Sequence, residues 1–162
     1  MFHKIFCISI VFVLYFQATA QDKYGIRYPH KEVSVNCNGG FPRDGLPSSC
    51  LIQTRDEFNK LCNGAISGIN FNREIVVGVL FPTIYEGIIP NRTTKYQYYV
   101  MKDPKTGVIH FVINYTYNPP SSNRGLVQKL IAIQKPIGDY EINVHFVNSS
   151  DSEIIKVHKN SQ

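Results

Sequence analysis

The sequence predicts an α+β fold in which an antiparallel sheet is packed against one short N-terminal helix. The prediction depends on one helix-start signal near the front of the chain and a succession of strand-like segments behind it. Thr54 and Glu57 have the spacing of a capping box, in which each side chain accepts from a main-chain N–H of the other residue. Three apolar residues then share one face at helical spacing: Phe58, Leu61 and Cys62.

The rest of the chain has the composition of β-strands. Residues 75–81 form a nearly continuous apolar run, typical of a central strand buried on both faces, and Pro82 is predicted to end it. Asp103-Pro-Lys-Thr-Gly107 is a hairpin turn between two alternating segments. Further strands are predicted at residues 126–135, at 140–147 and, as a short edge strand, at 153–158. Alternate residues of 140–147 are predicted to share one buried face.

Residues 1–20 are predicted to be a secretory signal peptide. The apolar stretch 5–16 follows Lys4 and is shorter than the ~20 residues needed to cross a bilayer. Ala18 and Ala20 form a cleavage pattern before Gln21. We therefore expect a secreted protein, extracellular or, in a bacterium, periplasmic or at the cell surface. Its regions are a flexible lead-in over 21–31, a single α+β domain over 32–158 and a tail over 159–162.

Composition excludes some partner classes. The formal net charge of +5 is spread along the chain, without the basic stripe and interleaved aromatic residues of a nucleic-acid site. No later segment is long and apolar enough to predict a membrane span. The mature chain of about 140 residues has the size of one domain and can fold without a metal ion.

Three cysteines remain after the predicted cleavage: Cys37, Cys50 and Cys62. In an oxidising compartment this number predicts one disulfide and one free thiol. Cys37–Cys50 is the preferred pair because it closes the Gly- and Pro-rich loop between them. Cys50–Cys62 is the alternative, which would link the strand before the helix to its last turn. A catalytic cysteine is not expected, since no local sequence places a His or a helix N-terminus beside any of them.

The sequence contains no catalytic motif and no cofactor fingerprint. We therefore predict no enzyme activity, no cofactor and no metal site. His110 and His145 both lie on outward-facing strand positions, where a cross-strand pair is geometrically possible. Separate exposed side chains are the favoured interpretation.

The segment from Pro82 to Pro90 is predicted to be a partner-binding loop. A rigid sheet can present the aromatic and aliphatic side chains of such a loop at the surface. The alternative is that the same side chains fold back onto the core. The predicted binding residues are Tyr85, Glu86, Ile88 and Ile89.

Three asparagines begin glycosylation sequons, which are relevant if the source is eukaryotic: Asn91, Asn114 and Asn148. Asn114 and Asn148 fall on or just after outward strand positions, where a glycan is sterically reasonable.

Several segments together resemble a known family. They are Leu51-Ile52-x-Thr-x-x-Glu-Phe, Gly68-Ile-Asn-Phe71, the run 75–81 and Leu130-Ile-Ala-Ile-x-Lys135. In this order they look like small exported bacterial proteins related to the C-terminal domain of the protease-complex subunit PrcB, over about residues 50–147. The resemblance implies an α+β domain without catalytic residues and an association with a surface protease.

These observations predict an exported, non-enzymatic protein that binds a protein partner through surface loops. A secreted protease, which it would stabilise or inhibit, is the partner that the resemblance implies. The alternative is a secreted glycoprotein with a structural or extracellular-matrix role, favoured by the sequons and the basic charge. A hydrolase built from residues scattered along the sequence is the third hypothesis.

Overall fold

The computed structural model describes residues 23–35, 37, 41, 45–62, 68–86, 93–94, 96–117, 124–149 and 153–161. Helix α1 spans Arg55–Leu61. The strands are β1 (Ile26–Arg27), β2 (His30–Glu32), β3 (Ser48–Ile52), β4 (Glu74–Glu86), β5 (Thr93–Thr94), β6 (Tyr96–Lys102), β7 (Ile109–Tyr115), β8 (Arg124–Gln134), β9 (Tyr140–Asn148) and β10 (Glu153–Asn160).

The strands form two sheets. The first sheet has the order β1-β6-β7-β9-β10, and the second has the order β2-β8-β4-β3, with β5 paired to the end of β4. Neighbouring strands are antiparallel except for β7 and β9, which are parallel. The predicted hairpin is confirmed as β6 and β7, and its turn is closed by a hydrogen bond from the Gly107 N–H to the Asp103 carbonyl.

The two sheets face each other across a shared apolar core. Phe81 of the second sheet lies 5.4 Å from Tyr96 and 6.4 Å from Phe146 of the first sheet, measured between ring centroids. The alternating residues of β7 and β9 that were predicted to share one face fill this core. The predicted α+β class, one antiparallel sheet packed against an N-terminal helix, is therefore wrong. The protein is a mostly β sandwich, because a seven-residue helix is too small to cover so many amphipathic strands.

Helix α1 covers the outer face of the second sheet. Its predicted capping box is confirmed: the Glu57 N–H donates to Thr54 Oγ1 at 3.1 Å, and the Thr54 N–H donates to Glu57 Oε2 at 3.2 Å. Phe58 is buried and joins a second apolar cluster with residues of β4 and β8. The helix is short, so this contact with the sheet stabilises it.

The disulfide joins Cys37 to Cys62, and Cys50 keeps a free thiol. Neither pairing predicted from the sequence forms. The side chain of Gln128 on β8 accepts from the Cys37 N–H and donates to the Cys37 carbonyl, at 3.0 and 3.1 Å. This pair of hydrogen bonds holds Cys37 over the outer face of the second sheet, where Cys62 is buried. Cys50 lies on β3, in register with Gly78.

Pro82 does not end the central strand, which continues to Glu86. The predicted run 75–81 is confirmed as the centre of β4, between β3 and β8. β3 begins opposite Leu80 and runs away from Pro82, so Pro82 pairs with Leu126 of β8 on one side and lies beyond β3 on the other. A proline costs no ladder hydrogen bond when its missing N–H faces such an open side.

The N-terminal segment crosses from one sheet to the other. The predicted lead-in, residues 21–31, contains β1 and most of β2. β1 pairs with β6 in the first sheet and β2 pairs with β8 in the second. The crossing takes place at Tyr28-Pro29, on one side of the sandwich.

Candidate functional site

A cleft of about 890 Å³ opens where the N-terminal segment crosses between the sheets. One wall is β6 of the first sheet, and the other comes from β2 and from Lys129 of β8 in the second. Tyr28 closes the end at which the chain crosses. The aromatic lining consists of Tyr28, Tyr96, Tyr98 and Tyr99.

Tyr98 lies at the centre of the cleft and is held on several sides. Its ring is edge-on to Phe111 at 5.9 Å and to His30 at 5.6 Å, between centroids. The Lys129 ammonium lies 4.8 Å from the centroid of the same ring. The Tyr98 hydroxyl donates to Glu32. Burial, and then the nearby Glu32 carboxylate, raise the pKa of Tyr98, so the hydroxyl stays protonated as a donor.

The charges inside the cleft are balanced within the protein. Glu32 Oε2 lies 2.5 Å from Lys129 Nζ. The hydrogen bond from Lys129, and then the one from Tyr98, lower the pKa of Glu32 below its usual value. Arg27 at the rim adds a further positive charge. The cleft therefore offers aromatic surface and a positive rim to a ligand.

The edge of β6 is only partly covered by β1. Ile26 and Arg27 pair with Lys102 and Met101, and the Tyr28 N–H donates to the Val100 carbonyl at 2.8 Å. Pro29 then takes the chain to the second sheet. Within the described ranges, no strand pairs with Tyr96–Tyr99 on this side of β6, while β7 pairs with them on the other.

The uncovered part of this edge presents main-chain groups to the cleft. Successive residues of a strand direct their N–H and C=O groups to alternate sides. The main chains of Tyr96 and Tyr98 are therefore oriented like that of Val100, whose carbonyl accepts from the N-terminal segment. Their N–H and C=O groups face the open edge, beside the aromatic lining.

A second cleft, of about 740 Å³, lies at the end of the sandwich near the β6–β7 turn. Its lining is mainly charged and turn residues such as Lys102, Lys135 and Asp139. It is lined by two tyrosines, Tyr28 and Tyr140, compared with four in the first cleft. We therefore take the aromatic cleft as the candidate site.

The residues predicted to bind a partner fall partly on β4 and partly outside the described residues. Tyr85 and Glu86 belong to the end of β4, where they pair with Thr94 and Thr93 of β5. Ile88, Ile89 and Asn91 lie outside the described residues. Asn114 is on β7 and Asn148 is at the end of β9. The use of all three sequons stays a prediction.

Sequence reasoning did not single out the cleft residues. The density of tyrosines in Tyr96-Gln-Tyr-Tyr99 was the available signal. Alternation placed Tyr96 and Tyr98 on one face of a strand. It could not indicate that this strand lies near a sheet edge, because that depends on the distant residues of β1.

In the described part of the chain, no group of three or more His, Cys, Asp or Glu side chains is arranged to hold a metal ion. The helices within that part include none that is long and apolar enough to cross a membrane. His110 and His145, which sequence reasoning considered as a possible pair, are in contact. They lie on the outer face of the first sheet, away from the core and the cleft.

The fold and the cleft define a β-sandwich protein with an aromatic groove at a partly open sheet edge. Comparison of the chain with protein-family models, with curated proteins and with solved structures finds no match. The resemblance to PrcB-related proteins therefore stays a prediction from the sequence segments alone.

Proposed function

We propose that this protein is an exported binding module whose aromatic cleft accepts an extended segment of a protein partner along the open edge of β6. The observation that carries the proposal is the row of main-chain groups at Tyr96 and Tyr98 that face no other described strand and lie beside an aromatic lining. Extended peptides bind such edges by adding a strand, with side-chain pockets supplying specificity.

The chemistry of the cleft supports a binding role. Two of its ionisable groups, Glu32 and Lys129, are paired with each other, and Tyr98 is bonded to Glu32. They maintain the shape of the cleft and are not poised as free acids or bases. Arg27 at the rim favours a partner segment with acidic side chains.

A secreted protease is the first partner class to test, since the sequence resemblance implies one. Binding of an extended segment also fits stabilisation or inhibition, because both require a lasting contact with the partner. In this proposal the partner contacts the edge of β6 and the cleft, and no longer the loop predicted between Pro82 and Pro90.

The test selects peptides from a displayed random library with the mature chain beginning at Gln21. The best peptide is then resynthesised with one main-chain N-methyl group at each position in turn. We expect affinity to fall about tenfold or more at alternate positions, where methylation removes a donor to β6, and to change less than about threefold in between. Absence of enriched peptides, or losses without this two-residue period, would contradict the proposal.

A protein variant tests the aromatic lining separately. Tyr98→Ala removes the central ring, and we expect it to lower the affinity for the selected peptide at least about tenfold. Tyr117→Ala is the matched control, because Tyr117 is also a half-buried tyrosine packed against the core but lies outside the cleft. Equal losses of affinity in folded Tyr98→Ala and Tyr117→Ala would argue against peptide binding in the cleft. Binding of polysaccharide in place of peptide would assign the tyrosines to sugar recognition.

A further inference from the structure

A pair of histidines lies on the outer face of the first sheet. His110 is on β7 and His145 is on the neighbouring parallel strand β9, in register with the residue two after His110. Nδ1 of His110 and Nε2 of His145 are 2.9 Å apart. His145 is only 5% exposed, and His110 is half-buried. A histidine pair this well covered needs defined proton positions.

The surrounding groups determine those positions when both rings are neutral. His145 Nδ1 lies 2.6 Å from Glu153 Oε1 on β10, and an ionised carboxylate can only accept. His145 therefore carries its proton on Nδ1, and its Nε2 accepts. His110 must donate from Nδ1, which leaves its Nε2 with a lone pair. The hydrogen bonds run in one direction, from His110 through His145 to Glu153.

Tyr24 covers both rings. Its ring centroid lies 5.4 Å from that of His110 and 4.8 Å from that of His145, and its hydroxyl donates to Glu153 Oε1 at 3.1 Å. Lys23 Nζ lies 3.3 Å from the other oxygen of the Glu153 carboxylate. Tyr24 is 8% exposed. These contacts attach the front of the N-terminal segment to the first sheet.

The same segment forms one end of the aromatic cleft. Gly25 follows Tyr24 with a φ of +98° and lies so close to β6 that a Cβ there would be 2.3 Å from the Lys102 carbonyl oxygen. β1 comes next and has only two residues, after which Tyr28 lines the cleft. Two paired residues hold a strand weakly, so the position of Tyr28 depends on the attachment at Tyr24 together with its own hydrogen bond to Val100 and the pairing of β2.

Protonation of both histidines destabilises the packing of Tyr24 on the pair. A first proton can bind His110 Nε2 and leave every hydrogen bond in place. A second proton must bind His145 Nε2, which would place two N–H groups opposite each other at 2.9 Å. It would also place two cationic rings beneath the buried ring of Tyr24. When Tyr24 moves away, water can solvate both charges.

The charges facing the pair come from four elements. Lys23 lies on the N-terminal segment, Glu153 on β10, Asp103 in the β6–β7 turn and Glu141 on β9. Burial, the largest effect, lowers the pKa of both histidines below the usual 6.5, although the carboxylates act in the opposite direction. The state with Tyr24 released therefore binds more protons below about pH 6.5. Acidification favours the released state.

We propose that His110, His145 and Glu153 form an acid-sensitive latch that holds Tyr24, β1 and Tyr28 in place at neutral pH and releases this end of the cleft on acidification. The inference deepens the proposed function by naming a regulation of its site, and its effect on binding depends on that function. The latch itself can be tested without a ligand.

The test is hydrogen exchange of the mature chain followed by mass spectrometry, with rates corrected for the intrinsic effect of pH. Between pH 7.5 and 5.5 we expect peptides within residues 23–32 to lose protection about tenfold or more, while peptides from the centre of β4 keep theirs. Unchanged protection of residues 23–32 in the wild type would overturn the proposal without any variant.

Variants then assign the response to the pair. H110Q/H145Q removes both titrating rings, and we expect it to abolish the difference between the two pH values, whatever its protection at pH 7.5. His158→Gln is the matched control, since His158 is another half-buried histidine, located at the edge of β10 that faces β3, and it should keep the difference. A response that persists in H110Q/H145Q would overturn the latch.

The consequence for binding is measured with the selected peptide. The affinity of the wild type should fall about tenfold or more from pH 7.5 to 5.5, and that of a folded H110Q/H145Q should not. If residues 23–32 lose protection while peptide affinity stays unchanged, the latch does not control binding in the cleft. Failure to select any peptide would refute the binding function and leave the exchange result standing.

Discussion

The side-chain amide of Asn148 forms two hydrogen bonds with the main chain of Tyr117. Its Oδ1 accepts from the Tyr117 N–H at 3.0 Å, and its Nδ2 donates to the Tyr117 carbonyl at 2.8 Å. β7 ends at Tyr115, so this amide continues the pairing of β7 with β9 beyond the last ladder position. The Asn148 side chain thus makes the hydrogen bonds that the main chain of a longer strand would make.

Asn148→Ala should therefore destabilise the fold. The substitution leaves two half-buried main-chain groups without their partners, and we expect the free energy of unfolding to fall by about 2 kcal/mol. Asn114→Ala is the matched control: Asn114 also begins a sequon and is half-buried, but its side chain has no hydrogen bond to the described residues. Its effect should stay within about 0.5 kcal/mol. Chemical denaturation measures both, and similar losses would contradict the role assigned to Asn148.

The Cys37–Cys62 disulfide should contribute strongly to stability. It closes a separation of 25 residues, for which the chain-entropy model gives about 3.5 kcal/mol. We expect Cys37→Ser and Cys62→Ser each to lower the free energy of unfolding by several kcal/mol. Cys50→Ala should cost much less. A larger loss for Cys50→Ala than for Cys37→Ser or Cys62→Ser would favour one of the pairings predicted from the sequence. A non-reducing peptide map would identify the linked cysteines directly.

The Cys50 thiol should be unreactive in the native protein. Burial raises the pKa of Cys50 from 9.0 to about 11. A rise of that size lowers the thiolate population near pH 8 roughly a hundredfold, and the thiolate is the reactive form. We expect alkylation by iodoacetamide without reductant to be slow in the native state and to modify one thiol rapidly in denaturant. Fast native alkylation at Cys50 would show that the site is open.

Local signals predicted the local parts of the fold. The capping box at Thr54 and Glu57 fixed the start of α1, and the Asp103–Gly107 turn identified the β6–β7 hairpin. The alternation in β9 correctly indicated that one of its faces is buried. Alternation cannot show what covers that face, however, and here it is a second sheet instead of a helix.

The remaining features depend on residues that are distant in the sequence. The parallel pairing of β7 with β9 is a long-range contact, and it brings His110 beside His145. Tyr24, from a segment predicted to be flexible, then buries the pair. In the same way, Gln128 positions Cys37 for Cys62, and the start of β3 opposite Leu80 lets Pro82 remain within β4. No window of sequence around any of these residues contains that information.

His158 should make part of the stability depend on pH. It lies on β10 of the first sheet, and its Nε2 is 2.9 Å from Ser49 Oγ on β3, so it links the edges of the two sheets. Burial lowers the pKa of His158 below the usual 6.5. The unfolded chain then binds more protons than the folded chain below about pH 6.5, so this contribution to stability is complete above that pH and falls on acidification.

His158→Gln should accordingly reduce the acid sensitivity of the fold, because glutamine can replace the hydrogen bond but cannot titrate. Unfolding free energies measured at pH 7.5, 6.5 and 5.5 give the proton uptake on unfolding, and we expect the variant to take up about one proton fewer at most. Lys156→Gln, at an exposed position of the same strand, controls for substitution on β10. If His158→Gln and the wild type have the same slope, His158 is accessible to protons in the folded state and the contact with Ser49 does not restrict its titration.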